Sequence, residues 1–175
     1  MDMNNSTTPE PEKDLAQTPR WFVDALERYL GIRFSLDVCA LKDTAKCDNY
    51  YSLQEGQDSL ELDWMRYNYS NPPYSDIKPW VEKALQMALR GATTAMLIPD
   101  KPELAVTRRA REYADTIIHM PFRLNFIRPD GEPFLDAKGK KQGPKFPVMV
   151  VLFTPWGINL PVRDTYFDFR TLKVD

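Results

Sequence analysis

The sequence is poor in the residues on which several kinds of active site are built. It holds one histidine, His119, and two cysteines, Cys39 and Cys47, in 175 residues. That is too few for a Cys/His zinc site, and no metal is expected. A Ser-His-Asp or Cys-His hydrolase could run only through His119. That residue stands in the strand-like run Thr116-Ile117-Ile118-His119-Met120, where a histidine is more often structural than catalytic. Nothing suggests secretion, so the two thiols read most simply as reduced cysteines, although a disulfide between them stays open. No stretch approaches the ~20 apolar residues that cross a bilayer, so no membrane partner is expected. The opening MDMNNSTTPEPEKD has no basic start followed by an apolar stretch and is not a secretory signal. Residues 1–16 are expected to be a disordered tail and residues 17–175 a single domain.

What is present is ordinary for a globular chain, with 43% hydrophobic and 27% charged residues. The net charge of -2 argues mildly against a protein that holds nucleic acid by charge alone. The charge is uneven, however. Residues 1–100 hold ten Lys/Arg against sixteen Asp/Glu, and residues 101–175 hold thirteen against nine. A basic C-terminal part suits a nucleic-acid face, and equally a solvated surface.

Punctuation along the chain predicts alternating helices and strands. Thr18 as N-cap, Pro19 at the first helical position and Gly31 as stop frame a helix over residues 19–30. A short strand follows at residues 33–39, ending at Asp37-Val38-Cys39, and a weaker one at 49–53. Residues 66–70 read as a strand running into Asn71-Pro72-Pro73-Tyr74, where two prolines end it. Ser75 or Asp76 then caps a helix whose stripe is Ile77, Trp80, Val81, Ala84, Leu85, Ala88 and Leu89. Beyond it come a buried strand at 93–98, a basic helix at about 103–113 with Arg108, Arg109 and Arg111, and a strand at 115–119. A long hairpin closes the pattern, with residues 122–127 and 147–153 as its arms. The pattern predicts a three-layer α/β domain, Rossmann-like, with a C-terminal antiparallel hairpin. Ligands of such sheets bind beyond the carboxyl ends of strands, where both Asp37–Ala40 and Asn71–Tyr74 fall.

Asn71-Pro72-Pro73-Tyr74 resembles the catalytic motif of amino-group methyltransferases, and its residue types suit that chemistry. An amine conjugated to a ring is a poor nucleophile because its lone pair is delocalised. Acceptors for both its hydrogens draw the lone pair out; the Asn71 side-chain oxygen and the Pro72 carbonyl can serve. The prolines hold these acceptors rigid, and Tyr74 offers a face for an extruded base. The bland alternative is an ordinary turn. The motif alone does not choose between a base in DNA, a base in RNA and a protein glutamine.

The resemblance extends beyond the tetrapeptide. Thr18-Pro19, Leu36-Asp37-Val38-Cys39-Ala40, Ala45-Lys46-Cys47, Tyr50-Tyr51, Asp63-Trp64, Asn71-Pro72-Pro73-Tyr74, Trp80-Val81 and Leu97-Ile98-Pro99 together resemble the phage-type DNA N-6-adenine-methyltransferase (Dam) family. The resemblance implies an S-adenosylmethionine-dependent methyltransferase fold, adenine in double-stranded DNA as acceptor, and the cytoplasm of a bacterial or phage-infected cell. Asn71, Pro72, Pro73 and Tyr74 would be catalytic. Thr18, Pro19, Asp37, Cys39, Ala40 and Asp58 would bind the donor. The chain departs from the usual donor loop in having no glycine after Asp37. An acid for the donor's ribose is not clearly placed; Asp43 and Asp48 both qualify. For DNA, the expected contacts are Arg123, Arg128, Lys138, Lys140, Lys141 and Lys145, in and around the long hairpin loop, with Arg108, Arg109 and Arg111 as a second basic group. The remaining alternative is a degenerate methyltransferase fold that only binds DNA or a partner. The oligomeric state and the target sequence are not legible.

Overall fold

The computed structural model describes residues 14–143 and 145–174. Most of the expected N-terminal tail, residues 1–13, lies outside them. The elements in chain order are α1 (Arg20–Leu30), β1 (Leu36–Asp37), β2 (Asn49–Tyr50), β3 (Tyr67–Ser70), α2 (Lys78–Leu89), β4 (Thr93–Pro99), α3 (Ala105–Tyr113), β5 (Thr116–His119), β6 (Val148–Phe153) and β7 (Arg163–Tyr166). The strands form one sheet in the order β2-β1-β3-β4-β6-β5-β7. Every neighbouring pair is parallel except those of β6, which runs antiparallel to both β4 and β5.

Alternation along the central strands builds two cores. Met96, Ile98, Met149, Val151 and Phe153 face the layer of α2 and α3. Ala95, Leu97, Val148, Val150 and Leu152 face α1 and the short 3-10 turn Phe169–Leu172. Strands buried on both faces must be apolar throughout, which is why β4 and β6 were the most legible segments of the sequence. The expected three-layer α/β arrangement is therefore present.

Several local expectations change. Thr18 does not cap α1: the N-cap position is Pro19, with no side-chain cap, and the Thr18 hydroxyl turns inward to share a hydrogen bond with the Tyr69 hydroxyl. Ser75 and Asp76 do not cap α2 either; the helix starts after Ile77, with Pro79 in its first turn. The antiparallel partners of β6 are β4 and β5 rather than residues 122–127. Pro121 follows the end of β5, and the chain then leaves the sheet, burying Leu124 against the α1 side. Strand β7 went unread because it is polar and mostly exposed, as a short edge strand can be. It is held by the Arg163–Asp115 pair at 3.0 Å and by Asp164 against His119 Nε2 at 2.7 Å.

The turn after β6 packs Gly157 directly on the Cβ and Cα of Asp115, leaving no room for a side chain. Gly157→Ala should therefore lower unfolding stability by roughly 1–3 kcal/mol through overpacking. A urea titration checks this; an unchanged midpoint would show that the turn yields freely.

Candidate active site

The sheet grows outward from β1 to β2 on one side and from β1 to β3 and β4 on the other. The reversal lies between β1 and β3, and it is in the crevice outside the carboxyl ends at such a point that open α/β sheets bind their ligands. The ladder continues one step past the end of β1, with the Val38 N–H donating to the Tyr69 carbonyl of β3 at 3.0 Å. Asp37-Val38-Cys39-Ala40 and Asn71-Pro72-Pro73-Tyr74 therefore leave the sheet side by side.

On the β1 side the loop is shaped by a carboxylate instead of glycine. Asp37 is 3% exposed, and its oxygens accept the N–H groups of Cys39 at 3.3 Å and Lys46 at 2.9 Å. One side chain thus closes the turn from residue 37 to residue 46, which answers the missing glycine. Burial pushes the Asp37 carboxyl up to about 6, against the lowering effect of those two N–H groups. Burial and then the nearby Asp37 charge push the Cys39 thiol up to about 12, so it is not a nucleophile. Ala40 donates its N–H to the Tyr51 carbonyl at 3.0 Å, tying the loop to the end of β2.

On the β3 side, the Asn71 amide nitrogen donates to the Ala16 carbonyl at 3.1 Å. Among the described residues, none donates to the Asn71 side-chain oxygen or to the Pro72 carbonyl. Pro72 is buried, and the Pro73 carbonyl accepts from Asp76 N–H at 3.3 Å to turn the chain toward α2. The Tyr74 hydroxyl donates to the Leu97 carbonyl at 3.2 Å, which anchors the ring. Phe126 meets that ring edge-on with centroids 6.1 Å apart, and Phe146 lies tilted at 6.0 Å. Lys101 Nζ sits 4.6 Å from the Phe146 ring centroid. Phe126, Phe146 and Lys101 escaped the sequence reading; their only signal was an aromatic at either end of the long loop.

Residues 14–18 cross this edge as a strap. Asp14 accepts from the Ser75 hydroxyl at 2.6 Å, so residues 14–16, assigned from the sequence to the tail, are bonded to the domain. Thr18 and Pro19 are buried where the strap enters α1. Asp58 is exposed beyond β2, where its side chain accepts the Leu60 N–H at 3.0 Å; no described contact joins it to the crevice. Of the two acids considered for the ribose, Asp48 precedes β2 and so stands at its amino end. Asp43 and Glu55 both act on Tyr50, the last residue of β2, and raise its phenol, with the Glu55 hydrogen bond the largest cause. Glu55 was missed.

The six basic residues expected at DNA are all exposed. Their loop is ordered into three short runs by antiparallel bridges Ile127–Pro133 and Leu135–Lys141. The Asp136 carboxylate collects the N–H groups of Lys138 and Lys140 at 2.8 and 2.9 Å, presenting a lysine-rich turn. Arg128 pairs with Asp130 at 2.8 Å, and Arg123 donates to the Lys145 carbonyl at 3.3 Å. In the second basic group Arg109 forks onto Glu82, both terminal guanidinium nitrogens of Arg111 reach Asp164, and Arg108 bonds the Glu103 carbonyl, so each has a partner within the protein. His119 is buried with Nδ1 on Asp100 and Nε2 on Asp164, an arrangement that joins β4, β5 and β7. Among the described residues no cluster of His, Cys, Asp or Glu could hold a metal ion, and no helix is long and apolar enough to cross a membrane.

Asp37 generates a pH prediction. Its folded value of about 6 lies above the ordinary 3.8, so the folded state holds the proton more tightly than the unfolded state. Its contribution is greatest below pH 4 and is lost as pH rises toward 6, by roughly 3 kcal/mol in full. Urea unfolding of the wild type minus that of Asp37→Asn should trace this fall; parallel pH profiles would refute it.

Comparison with known proteins bears on the same residues. The family model described as Dam, DNA N-6-adenine-methyltransferase, matches residues 5–167. A DNA N-6-adenine-methyltransferase of Haemophilus phage HP1 (strain HP1c1) is 30% identical over 174 residues, covering 98% of this chain and 96% of that protein. Another, of Escherichia phage T1, is 30% identical over 115 residues, 65% of this chain and 47% of that one. With a family match over nearly its whole length, on a sheet whose reversal point carries the motif, the chain belongs to the Dam family of DNA N-6-adenine-methyltransferases.

Proposed function

We propose that the protein transfers a methyl group from S-adenosylmethionine to the exocyclic N6 amine of adenine in double-stranded DNA, in the cytoplasm of a bacterial or phage-infected cell. One observation carries the reading most directly. At the reversal point of the sheet, two acceptors to which no described residue donates, the Asn71 side-chain oxygen and the Pro72 carbonyl, stand beside an anchored aromatic ring, Tyr74. An amine needs two acceptors and a flipped base needs a flat face.

The donor fits the crevice on the chemistry of its walls. Ser52 Oγ, just beyond the carboxyl end of β2, and Ser70 Oγ, at that of β3, are buried hydroxyls without a hydrogen-bond partner among the described residues, on either side of β1. Buried polar groups of that kind call for a ligand that brings polar atoms. Thr18, Pro19, Asp37, Cys39, Ala40 and Asp58 are assigned to holding it, with Asp43 or Glu55 toward its ribose. When bound, the donor supplies a methyl group on a positively charged sulfur. Asn71 and Pro72 take the two amine hydrogens, and Tyr74, flanked by Phe126 and Phe146, holds the base in line. As the nitrogen–methyl bond forms, the carbon–sulfur bond breaks and its electrons stay on sulfur. The surplus amine proton is released to water. Lys138, Lys140, Lys141 and Lys145, with Arg123 and Arg128, are assigned to the DNA backbone and groove.

The direct test incubates methyl-labelled donor with unmethylated DNA and identifies the labelled nucleoside. N6-methyl-2′-deoxyadenosine is expected; label only in RNA or protein offered in parallel would overturn the substrate. Asn71→Ala should lower kcat by about 10²–10³ with donor affinity nearly unchanged, because it removes an acceptor used at the reacting amine. Retention of most activity would refute the mechanism. Replacing Lys138, Lys140 and Lys141 together by Ala should flatten the plot of log DNA affinity against log salt by up to about 3. An unchanged slope would place DNA elsewhere.

A further inference from the structure

An amide has one accepting end and one donating end, and only its partners decide which faces a substrate. The partner of Asn71 is a main-chain group. Its Nδ2 donates to the Ala16 carbonyl, and no other described residue engages that side chain. Ala16 in turn lies on a strap held at several points. Gln17 N–H donates to the Ile127 carbonyl at 2.8 Å and the Gln17 carbonyl accepts from Ile127 N–H at 2.9 Å. The Thr44 hydroxyl donates to Gln17 Oε1 at 2.8 Å, reaching the loop after β1. On either side, Asp14 accepts from Ser75, and Thr18 is bonded to Tyr69 beneath the motif.

We infer that residues 14–18 are a positioning element for the proposed catalytic residue: the Ala16 carbonyl turns the oxygen of Asn71 toward the substrate amine, and Gln17 fixes that carbonyl. The inference rests on the reading of Asn71 as acceptor given above. It also means that this chain is committed to asparagine at position 71. An aspartate there would set an oxygen against the Ala16 carbonyl, where nothing supplies a proton.

Three measurements test it. In the free protein, nitrogen-edited NMR should show one Asn71 side-chain amide proton shifted and slow to exchange, and Gln17→Ala should bring it toward free-amide behaviour. At saturating donor and DNA, Asn71→Asp should lower kcat about tenfold or more, and Gln17→Ala about threefold to tenfold with KM values less affected, since it removes both the acceptor for Thr44 and the donor to the Leu15 carbonyl. Combined with Gln17→Ala, Asn71→Asp should cost distinctly less than it does alone, because the opposing carbonyl keeps the Ile127 pairing but loses the side-chain ties of Gln17 to Thr44 and Leu15 and can shift further. Two outcomes overturn the inference: free-amide exchange of Asn71 in the wild type, or Asn71→Asp and Gln17→Ala losses that simply multiply. The NMR measurement needs no turnover. A protein that methylates nothing yet shows the protected amide would refute the proposed function and leave the strap's geometry standing.

Discussion

A parallel strand pair that stops at a crevice leaves peptide groups there with no further neighbour in the ladder, and each must be satisfied or lie open to solvent or ligand. Most of the candidate site follows from how this chain meets that demand at the ends of β1 and β3. The Tyr69 carbonyl takes the Val38 N–H, the Asp37 carbonyl takes the Tyr51 N–H, and the Tyr51 carbonyl takes the Ala40 N–H. The N–H groups of Cys39 and Lys46 go to the Asp37 carboxylate, which is drawn out of water to meet them. The loop is thereby fixed with ordinary side chains and a single ionisable group. On the other side the two prolines bring no N–H to satisfy, and among the described residues none donates to the Pro72 carbonyl.

The parts legible in the sequence are those where one physical demand dominates. Burial on both faces makes β4 and β6 continuously apolar, and the Pro-Pro pair marks where β3 must stop. The parts that were not legible are those where the demand is met by main chain or by distant partners. Ala16 contributes a carbonyl, which no residue type advertises. Strand β7 has no apolar alternation and owes its place to Arg163 and Asp164 pairing with Asp115 and His119. Residues 122–127 look like a strand by composition, yet their backbone bonds go to Gln17 at Ile127 and not to the sheet. Thr18 has the right chemistry for a cap, but a buried tyrosine hydroxyl needed a partner more than the exposed first turn of α1 did.

Charge behaves in the same way. A count of lysines and arginines treats Arg109, Arg111 and Lys138 alike. The structure divides them by what lies within reach. Arg109 and Arg111 meet Glu82 and Asp164 on neighbouring elements, whereas at the turn Lys138–Lys141 the Asp136 carboxylate is occupied with backbone N–H groups. A net charge of -2 thus coexists with a locally cationic projection on one side of the molecule.

The reversed direction of β6 has an architectural consequence. Because β5 ends and β6 begins at the same edge of the sheet, the excursion over residues 120–147 departs and returns without crossing a layer. Its length is not set by any helix that must be spanned, and its internal bridges, Ile127–Pro133 and Leu135–Lys141, are its own. Chain can be added to or taken from its tip while the seven strands keep their register. The fold in effect carries a socket beside the crevice, into which descent can fit a different projection while the framework beneath it is inherited whole.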